Sequence, residues 1–252
     1  MIGVVGGVGP YAGMDLVKNI FDNTIANSDQ EHLSLVMLNL PDTILDRTEF
    51  LLGIVHQNPG KAIAEVLLKM EKIGATVAGI PCNTAHADEI YNLTIKQLEE
   101  QKSKIKLLNL IDEAVNMVTQ RYPDLTRVGI LSTTGTARFG IYQKALVAYN
   151  LQPISVNQQM QEEVIHPAIY SPAYGIKSKS NPIDERARQS LLKGINQLKE
   201  LGAELIIKGC TEIALAIPEN KMLGIPLIDP SKALARALIA AVDETKLKNE
   251  IS

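Results

Sequence analysis

At 252 residues, with 46% apolar and 21% charged residues, the chain has the balance of a soluble globular protein large enough for one big domain or two ordinary ones. A formal charge of −3, with no basic stripe, excludes the electrostatic footprint of a nucleic-acid binder. No apolar run approaches a membrane span, the opening MIGVVGGVGP lacks the regions of a secretory leader, and two cysteines do not make a disulfide framework, so a reduced, cytosolic protein is expected.

In chain order, IGVV (2–5), LSLVMLNL (33–40), TVAGI (76–80), IKLLNL (105–110), RVGILS (127–132), ELIIKG (204–209) and IPLI (225–228) read as strands. They are rich in Val, Ile and Leu and lack period-2 alternation, as parallel strands covered on both faces should. Helical patterns lie between them, clearest at 58–75 and 182–203, each opening near an Asn-Pro and closing at a Gly. Such alternation predicts an α/β fold. The least regular stretch is SPAYGIKSKSNP (171–182), long enough to suggest a functional loop.

The pattern occurs twice. KIGATVAGIPCNT (72–84) aligns without a gap on ELGAELIIKGCTE (200–212), which puts Cys82 on Cys210. IGVVGGVGP (2–10) matches VGILSTTGT (128–136), and LLNLIDEA (107–114) matches GIPLIDPS (224–231). Generic strands explain the apolar runs but not why the only two cysteines fall on equivalent positions. The expected architecture is two pseudo-symmetric parallel-sheet α/β domains with the active site in the cleft between them. The first comprises residues 1–111 with 226–252, including the final helix SKALARALIAAV (231–242), and the second comprises 112–225.

Each cysteine ends an apolar strand and precedes polar residues, Asn83-Thr84 or Thr211-Glu212, of the kind that open a helix. A thiol at a helix N-terminus has a lowered pKa, and the N–H groups there hold a carboxylate. Two such thiols suit a two-base proton exchange, one thiolate taking a proton from one face of a carbon and the other thiol supplying one to the opposite face. Asn83, Thr84 and Thr211 are the natural donors to the carboxylate beside the developing carbanion. The glycine loop GVGPYA (7–12) fits a dinucleotide fingerprint nominally, but Asp29 and Glu31 precede the second strand instead of ending it. Val8 and Gly9 are read instead as backbone N–H donors to an anion, with Thr133 and Thr136 as counterparts. The histidines His32, His56, His86 and His166 have no metal-ligand spacing, and His86 reads as a helix histidine one turn after Cys82.

PCNTAH around Cys82, GCTE around Cys210 and the opening GGVGP resemble the aspartate/glutamate racemase superfamily over nearly the whole chain, its aspartate branch above all. The resemblance implies an isomerase with two similar α/β domains, no pyridoxal phosphate or metal, and Cys82 and Cys210 as acid and base. It implies an acidic amino acid, aspartate before glutamate, as substrate and a homodimer as the assembly. Asn83, Thr84 and Thr211 would hold the α-carboxylate. Arg47, in PDTILDRTEF, and Lys177, in the 166–180 stretch, would meet the side-chain carboxylate, and guanidinium suits bidentate carboxylate recognition. The glutamate branch carries an acidic residue in the first glycine loop and a histidine after the second Cys-Thr. This chain has GGVGP and Glu212 in those places, which favours the aspartate branch. Glu212 is a candidate helper of the second thiol. The rival readings are another isomerase or a decarboxylase acting on a small dicarboxylate, and a dicarboxylate-binding protein without catalysis.

Overall fold

A computed structural model of the chain describes residues 1–249. It divides into Met1–Glu113 joined by the C-terminal segment from Ser231, and Ala114–Pro230.

The first unit is built on a parallel sheet of four strands in the order β2-β1-β3-β4: β1 (Ile2–Val5), β2 (Leu35–Leu38), β3 (Val77–Gly79) and β4 (Lys106–Leu108). All residues of β1 and β3 are buried, which accounts for their lack of alternation, whereas edge strand β2 is half-buried. Helix α1 (Pro10–Asn23) starts with Pro in the first helical position and sends Leu16 and Ile20 into the core. Burying each such side chain contributes about 1.5–3 kcal/mol. Short helix α2 (Arg47–Leu51) is capped by Asp46, whose carboxylate accepts from the N–H groups of Thr48 (2.8 Å) and Glu49 (2.9 Å). Helix α3 (Gly60–Lys72) lies within the expected 58–75, with the Asn58 side chain accepting from Gly60 N–H at 2.8 Å and Gly74 beyond its end at φ +104°. Helices α4 (Asp88–Glu100) and α5 (Leu110–Arg121) follow, and the unit boundary falls inside α5.

The second unit has a five-stranded sheet in the order β6-β5-β7-β9-β8: β5 (Arg127–Ser132), β6 (Gln152–Ser155), β7 (Leu205–Gly209), β8 (Lys221–Met222) and β9 (Ile225–Ile228). Its pairings are parallel except β8 with β9. Short α6 (Thr134–Arg138) and α7 (Ile141–Ala148) lead to β6. Then α8 (Gln158–Met160) passes through a π-helical turn, Gln161–Ile165, into α9 (His166–Tyr170). Helix α10 (Glu185–Glu200) begins later than the Asn-Pro at 181–182 suggested, because Asp184 caps it by accepting from Arg186 N–H at 2.9 Å. A four-residue α11 (Ile213–Ala216) follows β7.

The IPLI segment stays with the second sheet, pairing β9 with β7, so the chain leaves this unit after Pro230 and not at the expected 225. The final helix, α12 (Pro230–Asp243), packs on β3 of the first unit, with Leu234 so close to Gly79 that an added Cβ would lie 2.8 Å from its Cδ2. Leaving aside the extra strand β8, the sheets repeat one topology: second, first, third and fourth strand of each unit stand side by side in that order. The sequence match of β1 with β5, β3 with β7 and β4 with β9 is therefore also a match of position.

Candidate active site

In the first unit the chain leaves β1 through Gly6, Gly7, Val8 and Gly9. Side chains at Gly6 and Gly7 would run into the backbone of Asn39 and Leu40 at 2.8 and 2.7 Å, so this close approach requires glycine. Gly9 caps α1 at φ +125°, and the Val8 side chain is fully buried.

One strand over, β3 runs through Ile80 and Pro81 to Cys82, an extended residue that caps the 3₁₀ turn Asn83–His86. Cys82, Asn83, Thr84 and His86 are all buried, and Cys82 is a free thiol. Helix α2, carrying the buried Arg47 and Thr48, packs against this turn. Arg47 donates from Nη1 to the Leu45 carbonyl at 3.1 Å. The structure thus places Arg47, Cys82, Asn83 and Thr84 on neighbouring elements of one unit.

His86 does not address the Cys82 sulfur. Leu110 N–H donates to its Nε2 at 3.2 Å, so the ring proton belongs on Nδ1, which then donates to the Cys82 carbonyl at 2.9 Å. Burial lowers its pKa to about 4, against the opposing effect of that bond. A neutral imidazole therefore ties the cysteine's backbone to the start of α5. It stacks on Tyr91 with centroids 5.2 Å apart. The Tyr91 phenol is pushed up to about 12, first by burial and then by Asp112.

In the second unit β7 ends at Gly209, followed by Cys210, Thr211 and Glu212, all three buried. The Cys210 carbonyl accepts from Ile213 N–H at 2.9 Å. Here the side chain, not the carbonyl, carries the distinctive contact: Cys210 Sγ donates to Glu212 Oε2 at 3.1 Å. Thr211 Oγ1 donates to the same oxygen at 3.2 Å. The other oxygen, Glu212 Oε1, accepts from Lys177 Nζ at 2.6 Å. Lys177 comes from the 171–182 loop, which is ordered by its own bonds. Ile176 N–H donates to Ala168 O (2.9 Å), Lys177 N–H to Ile169 O (3.1 Å) and Gly175 N–H to Ser171 O (2.8 Å). A Cβ at Gly175 would lie 2.5 Å from Ser171 N, so the fold there admits only glycine.

Burial, then the Glu212 charge, push the Cys210 thiol well above its usual range, and Lys177 opposes them. Burial raises Glu212 too, but the Lys177 ammonium and the bonds from Lys177 and Cys210 outweigh it and hold the carboxyl below its ordinary value. At neutral pH these directions describe a protonated Cys210 beside an ionised Glu212. Fully buried Tyr142, on α7, is the next ionisable group, within 3.2 Å of the space above Gly209. Lys208, 1% exposed, donates to Ile217 O at 3.2 Å and lies 3.9 Å from Asp229 Oδ2. Sequence reasoning passed over Lys208 and Tyr142; a lysine inside the apolar run ELIIKG was the available clue. Thr133 caps α6 by accepting from Thr136 N–H at 3.1 Å.

A model of the Asp/Glu/hydantoin racemase family matches residues 5–238 of the chain. The chain is 26% identical over 247 residues to a broad-specificity amino-acid racemase, RacX, of Bacillus subtilis, covering 95% of this chain and 97% of that one. Its structure is similar to the aspartate racemase of Picrophilus torridus at a TM-score of 0.80 and 29% identity, with 98% and 95% of the two chains covered. The fold also resembles glutamate racemase from Francisella tularensis, at a TM-score of 0.61 and 18% identity over 100% of this chain and 84% of that one.

Proposed function

The chain belongs to the Asp/Glu/hydantoin racemase family, which makes it an isomerase, and on that premise we propose that it interconverts the L and D forms of aspartate, with glutamate as the next substrate, using two thiols. The observation that carries this reading is the placement of Cys82 and Cys210 just beyond the ends of equivalent strands, each opening a turn with further N–H groups. One thiolate removes the Cα proton. The electron pair left behind spreads into the α-carboxylate, and the other thiol delivers its proton to the opposite face. Asn83, Thr84 and Thr211, with the backbone of Val8 and Gly9, are assigned to the α-carboxylate, where donors aimed at developing charge lower the barrier most. Arg47 is assigned to the side-chain carboxylate. A homodimer in the cytosol belongs to the same reading and is checked by light scattering and cell fractionation.

Cα deuterium incorporation from D₂O, followed by NMR with each enantiomer of aspartate and glutamate, tests the proposal. Exchange with inversion in the native protein, abolished or confined to one enantiomer in Cys82→Ala and Cys210→Ala, supports it. No exchange with any of the four overturns it.

A second reading has its own support. Lys177, assigned by resemblance to the substrate's side chain, has its ammonium on Glu212, and the RacX protein to which the chain is similar is named as broad in specificity. On this reading neutral amino acids such as alanine are also turned over, which the same measurement decides.

A further inference from the structure

The line Lys177–Glu212–Cys210 lies within one unit, and its geometry runs from the cation through the carboxylate to the sulfur. We propose that Lys177 and Glu212 form a positioning pair that sets the protonation of Cys210, so that Lys177 acts on the thiol through Glu212 rather than on the substrate's side chain. The inference rests on the racemase reading and assigns a role that the reading leaves open.

Two observations and a physical argument support it. The Glu212 carboxylate is bonded at both oxygens, one to the thiol and one to the ammonium, and is 3% exposed, so its placement is fixed. Lys177 is held from both ends: its backbone is bonded to Ile169 O, and its Nζ lies 5.7 Å from the centre of the Tyr170 ring, itself stacked on His166 at 4.9 Å. An ammonium spent on a buried carboxylate is a poor selector for a second carboxylate, since its charge is already balanced.

The chemistry gives the pair a task. In one direction Cys210 gives its S–H proton to Cα and is left as a thiolate beside Glu212. In the other, that thiolate takes the Cα proton and the electron pair stays on the substrate. The thiolate state places two negative charges side by side, and Lys177 is the cation that both share. The groups facing Cys210 are therefore Glu212 from its own turn, Lys177 from the loop after α9 and Tyr142 from α7. Beyond them, Asp229, 3.9 Å from Lys208 Nζ, acts on Tyr142.

Kinetics of Lys177→Met, Lys177→Arg and Glu212→Gln with aspartate and alanine test the role. If the pair serves the thiol, Lys177→Met and Glu212→Gln lower kcat by roughly ten- to a hundred-fold, equally for both substrates, with KM little changed. The limb of the pH profile belonging to Cys210 as base moves, and Lys177→Arg restores most of the rate. A rise in KM for aspartate alone in Lys177→Met overturns the proposal and returns Lys177 to the substrate.

A second measurement does not depend on turnover. With Cys82→Ala as background, leaving Cys210 as the single thiol, thiolate ultraviolet absorbance is titrated against pH. Glu212→Gln should lower the midpoint, by removing a negative neighbour, and Lys177→Met should raise it. Opposite shifts uphold the pair even if no amino acid is turned over. Shifts of the same sign, or none, overturn it.

Discussion

Cys82 and Cys210 stand just beyond equivalent strands of two sheets with the same order, and each opens a buried turn, but their surroundings have diverged. Around Cys82 the support is a neutral imidazole bonded to the cysteine's carbonyl, which fixes backbone and leaves the sulfur alone. Around Cys210 it is an ion pair bonded to the sulfur itself, which acts on charge. At the repeat offset Glu212 falls on Thr84, a residue that carries no charge. Repetition preserved where each thiol sits while its electrostatics was rewritten, so two thiols in like positions need not be chemically equal.

The comparison breaks most visibly if either thiol is removed. Cys82→Ala and Cys210→Ala should each lower inversion of the amino acid by roughly a thousand-fold or more, a loss of about 4 kcal/mol or greater in transition-state stabilisation. If exchange without inversion survives in one variant and not in the other, as measured by deuterium NMR, the inequality of the two is established directly.

Acid unfolding sharpens the first unit's side. The folded His86 has a pKa of about 4 against an ordinary 6.5. The unfolded chain therefore binds a proton first as pH falls, and stability drops between those values and levels off below the lower one. The loss is about 3 kcal/mol, and urea melts of native protein against His86→Gln across that window isolate it.

On the second side, Gly209 is the residue before the thiol. A Cβ there would meet Ser132 Cβ at 2.9 Å and Tyr142 Cε2 at 3.2 Å, whereas the first unit has Pro81 at the matching position. Gly209→Ala should cost about 1–3 kcal/mol by overpacking, read as a lowered thermal midpoint. The smallest effect belongs to the cap beside Arg47. Asp46→Ala should remove about 1 kcal/mol and raise KM for acidic substrates more than for alanine, as steady-state rates will report.

Much of this was legible in the chain. The seven apolar runs became strands because parallel strands are buried on both faces, and the gapless match of two thirteen-residue stretches marked the repeat before any topology was known. Glu212 stood out by resemblance, in the place where the glutamate branch carries a histidine, and its carboxylate accepts from the Cys210 thiol. Its tie to Lys177 was hidden, because the partners are 35 residues apart and the lysine's loop has no periodicity to place it. His86 read as a helix histidine one turn after Cys82, and it does bond that residue's carbonyl from the end of a 3₁₀ turn, but the donor that fixes its tautomer, Leu110 N–H, lies 24 residues on and was hidden in the same way. The start of α10 was misplaced for a local reason: Asp184 offers a side-chain acceptor to the first turn, and the preceding proline offers none.

Lys208 carries a consequence for experiment. The residue is 1% exposed, inside the strand that leads to Cys210, and the first unit has an isoleucine, Ile80, at the matching place. Acylating reagents reach amines only through solvent, so this lysine should stay unlabelled for as long as the second sheet is closed and gain a mass tag only when it opens. The protein thus contains a clock for the opening of one of its halves, read one residue at a time by peptide mass spectrometry.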